Sequence, residues 1–352
     1  MKKLKVGIIG AGNISVSHLN AYAKCEQAEV VAICDINEKR LNKTADKFDI
    51  KNRYLSVEDM LANETLDAAD VCVWNCNHAK CTIAALNAGL HVLCEKPMAY
   101  SAKEAELMKK AAEDNGKLLM IGFVLRFDNM SIITKDFIDN GYLGNIYHTK
   151  ATYLRRHGAP GSWFCNKELS GGGPVIDLGV HVIDLTRYLM GNPKPVSVYA
   201  ISNDKLGSRG NLKTSVDWLP DDAKNDDLYD VEDFATAIIR YDNGSATLLE
   251  TSYSLNGEAC TKKELFGDKG GIKIDEGGFK IYTEMNDYLV DVSPKIENYK
   301  YGGDMFTEEI AHFVDCALNN TPCRAPAEDG IEVMRILDAI YESARTGHEI
   351  IL

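Results

Sequence analysis

Apolar positions change their period along the chain, and the changes mark its elements. Residues 4–9 form a short apolar run that breaks at Gly10 and Gly12, which predicts a buried strand, a glycine turn and a helix reaching about Lys24. Residues 29–34 predict the next strand and 37–48 a helix. Ser56 and Ser101, each followed three residues later by an acid, predict two helix starts, the second helix stopping at Gly116. Strands are predicted at 70–74, 91–94 and 118–123, with a helix at 77–88 closed by Gly89. Strands alternating with helices give a doubly wound parallel sheet with helices on both faces.

The pattern changes after about Phe123. Residues 144–154 and 194–202 read as strands, and 234–241 with 245–253 as a hairpin around Asp242-Asn243-Gly244, Asn-Gly being a favoured type I′ pair. Short strands follow near 262–266, 272–275 and 279–283. Two helices close the chain, one with Phe306, Ile310, Phe313, Val314 and Leu318 on a face, the other with Ile331, Met334, Asp338, Tyr341 and Ala344 at helical spacing. The expected fold is an α/β domain over residues 1–123, then an α+β domain with a mainly antiparallel sheet over 124–352. The acid-rich stretch 220–233 reads as a solvated loop.

A length of 352 residues suits two cores. With 39 basic and 52 acidic side chains the net charge is −13, which repels phosphate backbones and argues against a nucleic-acid partner or a basic membrane-surface role. No run is long enough to span a bilayer or resembles an export signal, so a cytoplasmic protein is expected. The ten cysteines are scattered, and the nearest to a cluster, Cys72, Cys76 and Cys81, contains no CxxC pair. They read as reduced packing residues, with no metal site expected.

Three clusters carry chemistry. In Gly10-Ala11-Gly12-Asn13-Ile14-Ser15, Gly10 permits the tight turn, Gly12 lets a pyrophosphate approach, and the helix N-terminus offers amides and a positive dipole end. Ser15 stands where the third fingerprint glycine would be. Asp35 ends the second strand, where a carboxylate takes ribose hydroxyls. No Arg immediately follows it, which favours NAD over NADP. The second cluster is Glu95-Lys96-Pro97, beyond the carboxyl end of a parallel strand, where ligands sit; Lys96 there suits proton transfer. The third is Gly171-Gly172-Gly173 with Asp177 and His181, four apart on one helix face that Asp184 and Tyr188 continue. A His beside a carboxylate is a tuned base, an Asp–His–Asp metal site or a structural pair.

Together these residues, with the tail from Phe306 through His312-Phe313 and Asp329-Gly330 to Ile340-Tyr341 and Ser343-Ala344, resemble the Gfo/Idh/MocA family along nearly the whole chain. The resemblance implies a Rossmann domain, an open-sheet α+β domain, and a pyranose or cyclitol substrate held between them. Lys96, Asp177 and His181 match the family's catalytic positions; either Lys96 or His181 takes the substrate's hydroxyl proton, and Asp177 orients the base and binds a hydroxyl. The implied NAD-binding set is Gly10, Gly12, Asn13, Ile14, Asp35, Asn77, His78, Glu95, Lys96 and Trp163. The implied substrate-binding set is Arg126, Arg156, His157, Asp177 and His181.

The chain departs from the family's Thr-Pro-Asn-x-x-His stretch: it has Cys76 at the Pro position and Lys80 at the His position, with Trp74 upstream. Relatives bury the sheet face in dimers or tetramers, which predicts a homo-oligomer here. The activity implied is an NAD-dependent dehydrogenase of a secondary alcohol on a sugar, glycoside or cyclitol, with pyranose C3 one version. A redox-neutral glycoside hydrolase and a non-catalytic NAD-binding regulator are the alternatives.

Overall fold

The computed structural model describes residues 3–213, 219–220, 223–224, 227–295 and 304–352. Its first stretch runs β1 (Leu4–Ile9), α1 (Asn13–Tyr22), β2 (Ala28–Cys34), α2 (Glu38–Lys47), β3 (Asn52–Tyr54), α3 (Val57–Asn63), β4 (Ala68–Val71), α4 (His78–Asn87), β5 (His91–Glu95), α5 (Ala102–Asn115) and β6 (Leu119–Gly122). The second stretch runs α6 (Asn129–Asp139), β7 (Ile146–Leu154), α7 (Lys167–Ser170), α8 (Val180–Leu189), β8 (Pro195–Asn203), β9 (Phe234–Tyr241), β10 (Ala246–Ser252), β11 (Cys260–Gly267), β12 (Gly270–Asp275), β13 (Gly278–Met285) and β14 (Tyr288–Val292). α9 (Met305–Asn319), α10 (Ala327–Thr346) and β15 (Ile350–Ile351) end the chain.

The six early strands pair in parallel in the order β3-β2-β1-β4-β5-β6. The order reverses between β1 and β4, and at such a switch point the connections diverge and open a crevice at the strands' carboxyl ends. The helix starts expected at Ser56 and Ser101 are built as read: each Oγ accepts the amide three residues on, from Asp59 and Glu104. The strand expected at 70–74 lies earlier, at Ala68–Val71, because Val73 and Trp74 already belong to the turn beyond it. β3 escaped the pattern because it has only three residues, none of them buried.

The late strands form a nine-stranded sheet in the order β14-β13-β12-β11-β7-β10-β9-β8-β15, antiparallel except for the parallel pair β7 and β10. The β9–β10 hairpin is present, but its turn is not the expected type I′. Gly244 donates to the Tyr241 carbonyl, and of Asn243 and Gly244 only the glycine has a positive φ, +83°. The loop is therefore a type I turn closed by a left-handed glycine. One sheet face is buried at Ala235, Ala237, Ile239, Leu249 and Thr251; the other exposes Tyr147, Tyr199, Ile201 and Ile238. α6, β14 and β15 were not anticipated.

By its Cα packing the chain divides into two compact units, Met1–Phe127 with Gly303–Met334, and Asp128–Gly302 with Arg335–Leu352. The chain thus returns to its first unit after the expected boundary at 123. There α9 packs on α1, and its cap Asp304 accepts from Phe306, Thr307 and the Lys24 ammonium (2.9 Å).

At the centre of the first unit lies His18, fully buried on α1. Its Nδ1 is 2.8 Å from Asp70 on β4 and its Nε2 3.0 Å from Glu95 on β5. Burial alone would lower its pKa, but the Asp70 carboxylate beside it holds it well above the ordinary value, so the ring is an imidazolium set between Asp70 and Glu95. Glu309 on α9 is buried beside them, and burial keeps it a neutral acid well above the usual carboxylate range. Replacing His18 with Gln leaves two buried carboxylates without their cation, which should cost about 3–5 kcal/mol in urea unfolding at neutral pH. Because the folded pKa is raised, His18's contribution is complete below about pH 6.5 and is lost as pH rises through the folded value, at up to ~1.4 kcal/mol per pH unit. A wild-type urea midpoint that stays flat above pH 6.5 would sink the imidazolium assignment.

Candidate active site

In the first unit the glycine turn links β1 to α1. Gly10 has φ +103°, and a Cβ there would lie 2.3 Å from the Cys72 carbonyl oxygen, so only glycine fits. A Cβ on Gly12 would meet no atom within 4 Å, so the surface above it is open. Gly12 caps α1 without a side-chain hydrogen bond, and no acid occupies the first turn, where Asn13 and Ile14 lie. The amides and dipole of that turn are thus available to an anion. Ser15 replaces the third fingerprint glycine without loss of packing: it is fully buried and its Oγ donates to the Gly12 carbonyl at 2.7 Å. This open, uncapped turn fits a dinucleotide pyrophosphate.

Asp35 at the end of β2 is fixed from several sides. Its Oδ2 accepts the Ala11 amide (2.8 Å), its Oδ1 the Asn37 amide (2.7 Å), and the Arg40 guanidinium reaches both oxygens at 3.1 and 3.3 Å. A cation therefore does stand beside Asp35, five residues downstream, although none directly follows it in sequence. Ile36 next to it is 79% exposed, an apolar surface suited to a flat ring.

The turns after β4 and β5 are tied together. His78 is buried with Nδ1 2.7 Å from the Pro97 carbonyl and Nε2 3.0 Å from the Val73 carbonyl, and burial lowers its pKa. Expected to bind cofactor, it holds the Trp74–Asn77 turn to the Lys96-Pro97 turn with its ring nitrogens directed at backbone. Lys96-Pro97 is a cis peptide, and Lys96 is half-buried beside β5, its amide donating to Glu95 Oε2 at 3.0 Å. Glu95 thus faces His18 with one oxygen and the Lys96 backbone with the other.

In the second unit the triple glycine is held by the protein itself. Glu232 accepts the Gly173 amide (3.0 Å), the Val175 amide (3.1 Å) and the Tyr341 hydroxyl (2.9 Å), and burial raises its pKa. A Cβ on Gly172 would lie 1.9 Å from Tyr341 Oη, and one on Gly173 2.3 Å from the Glu232 carbonyl oxygen. The close approach expected of these glycines is therefore made by Tyr341 and Glu232.

Val175–Gly179 form a π-helical turn that runs into α8, so the Asp177–His181 spacing crosses a wider turn than the regular helix expected. Both residues are half-exposed, whereas Asp184 further along is buried. Asp177 Oδ2 accepts the hydroxyl of Tyr253 at 3.0 Å, and Asp177's charge acts on Arg155. Tyr253 is fully buried, and burial, then Asp177, lift its hydroxyl well above the ordinary value, so it stays a proton donor. Tyr253 ends the hairpin strand read at 245–253; its partner lies 76 residues away, beyond any local signal.

The acid-rich stretch is not a solvated loop among its described residues. Asp227 accepts the Ser162 amide at 2.6 Å, Asp230 the Lys167 amide at 2.6 Å, and buried Asp233 the amides of Leu206 and Gly207. These acids pin the loops that carry Trp163, which stacks on Phe164 at 4.0 Å between ring centroids. Arg156 is exposed and His157 half-buried on the same side of the sequence, after β7.

A family model described as the oxidoreductase family with an NAD-binding Rossmann fold matches residues 4–123. Its companion, the C-terminal alpha/beta domain, matches residues 135–352. The chain belongs to the Gfo/Idh/MocA oxidoreductase family. It is 34% identical over 349 residues to D-glucoside 3-dehydrogenase of Escherichia coli strain K12, covering 98% of this chain and 96% of that one. It is 28% identical to levoglucosan dehydrogenase of Pseudarthrobacter phenanthrenivorans over 98% of this chain and 97% of that one. The crystal structure of aldose–aldose oxidoreductase from Caulobacter crescentus with glycerol superposes with a TM-score of 0.83 at 25% identity, covering all of both chains. As a Gfo/Idh/MocA member the chain has an NAD-binding domain over residues 4–123. No helix of the described residues is long and apolar enough to cross a membrane.

Arg126, expected in the substrate wall, is an internal anchor. Its side chain is closed off from solvent, donating to the Arg324 carbonyl (2.5 Å) and to Asp329 (2.9 Å), with the guanidinium over the Phe123 ring. Its place after β6 suggested a pocket; the return of residues 303–334 to this unit covers it. Arg126→Leu should therefore destabilise by about 3–5 kcal/mol in urea unfolding, with KM unchanged for the folded fraction; a raised KM at full stability would restore it to the substrate wall. Asp35→Ser removes the acceptor and frees Arg40, so NAD affinity should fall about tenfold or more and the NADP-to-NAD preference should rise. Unaltered preference in a fluorescence titration would show that Asp35 does not meet the ribose.

Proposed function

We propose that this protein oxidises a secondary alcohol of a sugar, glycoside or cyclitol with NAD, pyranose C3 being the position favoured by its likeness to D-glucoside 3-dehydrogenase. The observation that carries the reading is half-exposed Asp177 on the π turn and half-exposed His181 four residues on in α8, with Asp177 held by Tyr253 and its charge acting on Arg155. Such a pair can accept a proton from a hydroxyl and stay oriented while doing so.

NAD, when bound, supplies the hydride acceptor. Gly10, Gly12, Asn13 and Ile14 hold its pyrophosphate, Asp35 its ribose, and Ile36 offers a surface for the adenine. Lys96 and His181 are the two candidates for the proton, and Asp177 orients His181 and accepts from a second substrate hydroxyl. The Asp177 charge acts on Arg155, which gives the carboxylate a cationic neighbour. Arg156, His157 and Trp163 supply donors and a ring face, the combination that suits a hydroxylated ring. The exposed Tyr147, Tyr199, Ile201 and Ile238 on one sheet face mark the surface on which a second copy packs.

The test follows NADH absorbance with monosaccharides, cyclitols and glycosides in turn. Lys96→Ala and His181→Asn should each reduce kcat roughly 100- to 10,000-fold while NAD binding stays near wild type. The variant that removes the acidic limb of the pH–rate profile identifies the base. Wild-type turnover in both variants would overturn the assignment, and aglycone release without NADH would turn the reading to a redox-neutral hydrolase.

A further inference from the structure

The return segment of the first unit carries a cluster that the proposed reaction does not use. His312 and Cys316 lie one turn apart on α9, and Cys323 lies in the loop after it. One ligand atom from each, an imidazole nitrogen and two thiol sulfurs, falls within 4.8 Å of the others. His312 Nε2 and Cys316 Sγ are 3.4 Å apart. Two ligands of a tetrahedral zinc at ordinary Zn–N and Zn–S lengths stand about 3.6 Å apart, so this pair already has the required bite.

The tautomer is also set. The Arg324 amide donates to His312 Nε2 at 2.9 Å, so Nε2 carries the lone pair, which a metal would take over from that amide. The cluster is reachable, since His312 and Cys323 are both half-buried. The two other groupings of this kind, both around His18, lack that freedom: both His18 nitrogens are held by buried carboxylates.

We propose that His312, Cys316 and Cys323 bind one zinc(II) ion, with water in the fourth position. Two soft sulfurs and one imidazole select zinc over magnesium or calcium. Binding breaks both S–H bonds, forms two Zn–S bonds and one Zn–N bond, and releases two protons; no electron moves. Binding replaces the Arg324 amide and the Cys316 thiol as partners of His312 Nε2. The site acts as a staple, because the same loop holds β6 through Ala325, whose carbonyl accepts the Ile121 amide at 2.9 Å, and holds Arg126 through the Arg324 carbonyl.

The test uses the reduced full-length chain titrated anaerobically with cobalt(II), then with zinc(II). One equivalent of cobalt should give a thiolate-to-cobalt charge-transfer band that zinc bleaches. Zinc should also raise the thermal midpoint. Both effects should vanish in Cys323→Ser and persist in Cys260→Ser, whose cysteine lies in the other unit. His312→Gln keeps an acceptor for the Arg324 amide and serves as the second variant, with NADH binding reporting that each variant is folded. No charge-transfer band in the wild type, or a band that survives Cys323→Ser and His312→Gln, overturns the proposal.

Discussion

The first unit depends on one buried cation. His18 belongs to α1, the helix that follows the glycine turn, Asp70 to β4, and Glu95 to the end of β5 just before Lys96. One imidazolium thus fixes the depth of α1 and the ends of two neighbouring strands, β4 and β5, just past the sheet's reversal. Two carboxylates this deep repel each other without a cation, and an ordinary hydrophobic contact would not set their distances so narrowly. Glu95 passes the constraint on, since its second oxygen holds the Lys96 amide. The glycine turn before α1 and the Lys96 backbone are therefore positioned by the same buried charge.

The second unit solves the matching problem with a hydrogen-bonded clamp. Glu232 gathers two amides from the glycine run and the hydroxyl of Tyr341, and Tyr253 holds Asp177 from the opposite element. A π turn has spare backbone freedom, and without these contacts it would relax to regular helix and rotate Asp177 relative to His181. The glycines at 172 and 173 serve that clamp: any side chain there would displace Tyr341 or Glu232.

The parallel sheet was legible because its strands are apolar runs separated by capped helices, which are local signals. Gly10, Gly12 and Asp35 were legible because their chemistry lies within one βαβ unit. What escaped depends on contacts made at long range. Arg40 reaches Asp35 only after α2 forms, Tyr253 finds Asp177 across 76 residues, and the acids at 227–233 cap loops that no local pattern connects to them. Arg126 was misread for the same reason, since the carboxylate that claims it lies 203 residues on. The His312–Cys316–Cys323 cluster fits no compact cysteine motif because its ligands are split between a helix and a loop. β3 and β15, three and two residues long, are too short to show a period.

The order of the chain adds a last constraint. The sheet of the first unit is complete by Gly122, yet α9 and the loop before α10 belong to that unit too. They bring Asp329 to Arg126, Asp304 to Lys24 and Glu309 to the His18 cluster. Until residues 304–334 arrive, the Arg126 guanidinium lacks its carboxylate and the α1 face that α9 covers stays open to water. A contact spanning 203 residues carries a loop-closure cost that local strand pairing does not. The nucleotide-binding unit therefore cannot reach its final stability from its N-terminal segment alone. Its last contacts need residues that follow the intervening segment 128–302 along the chain.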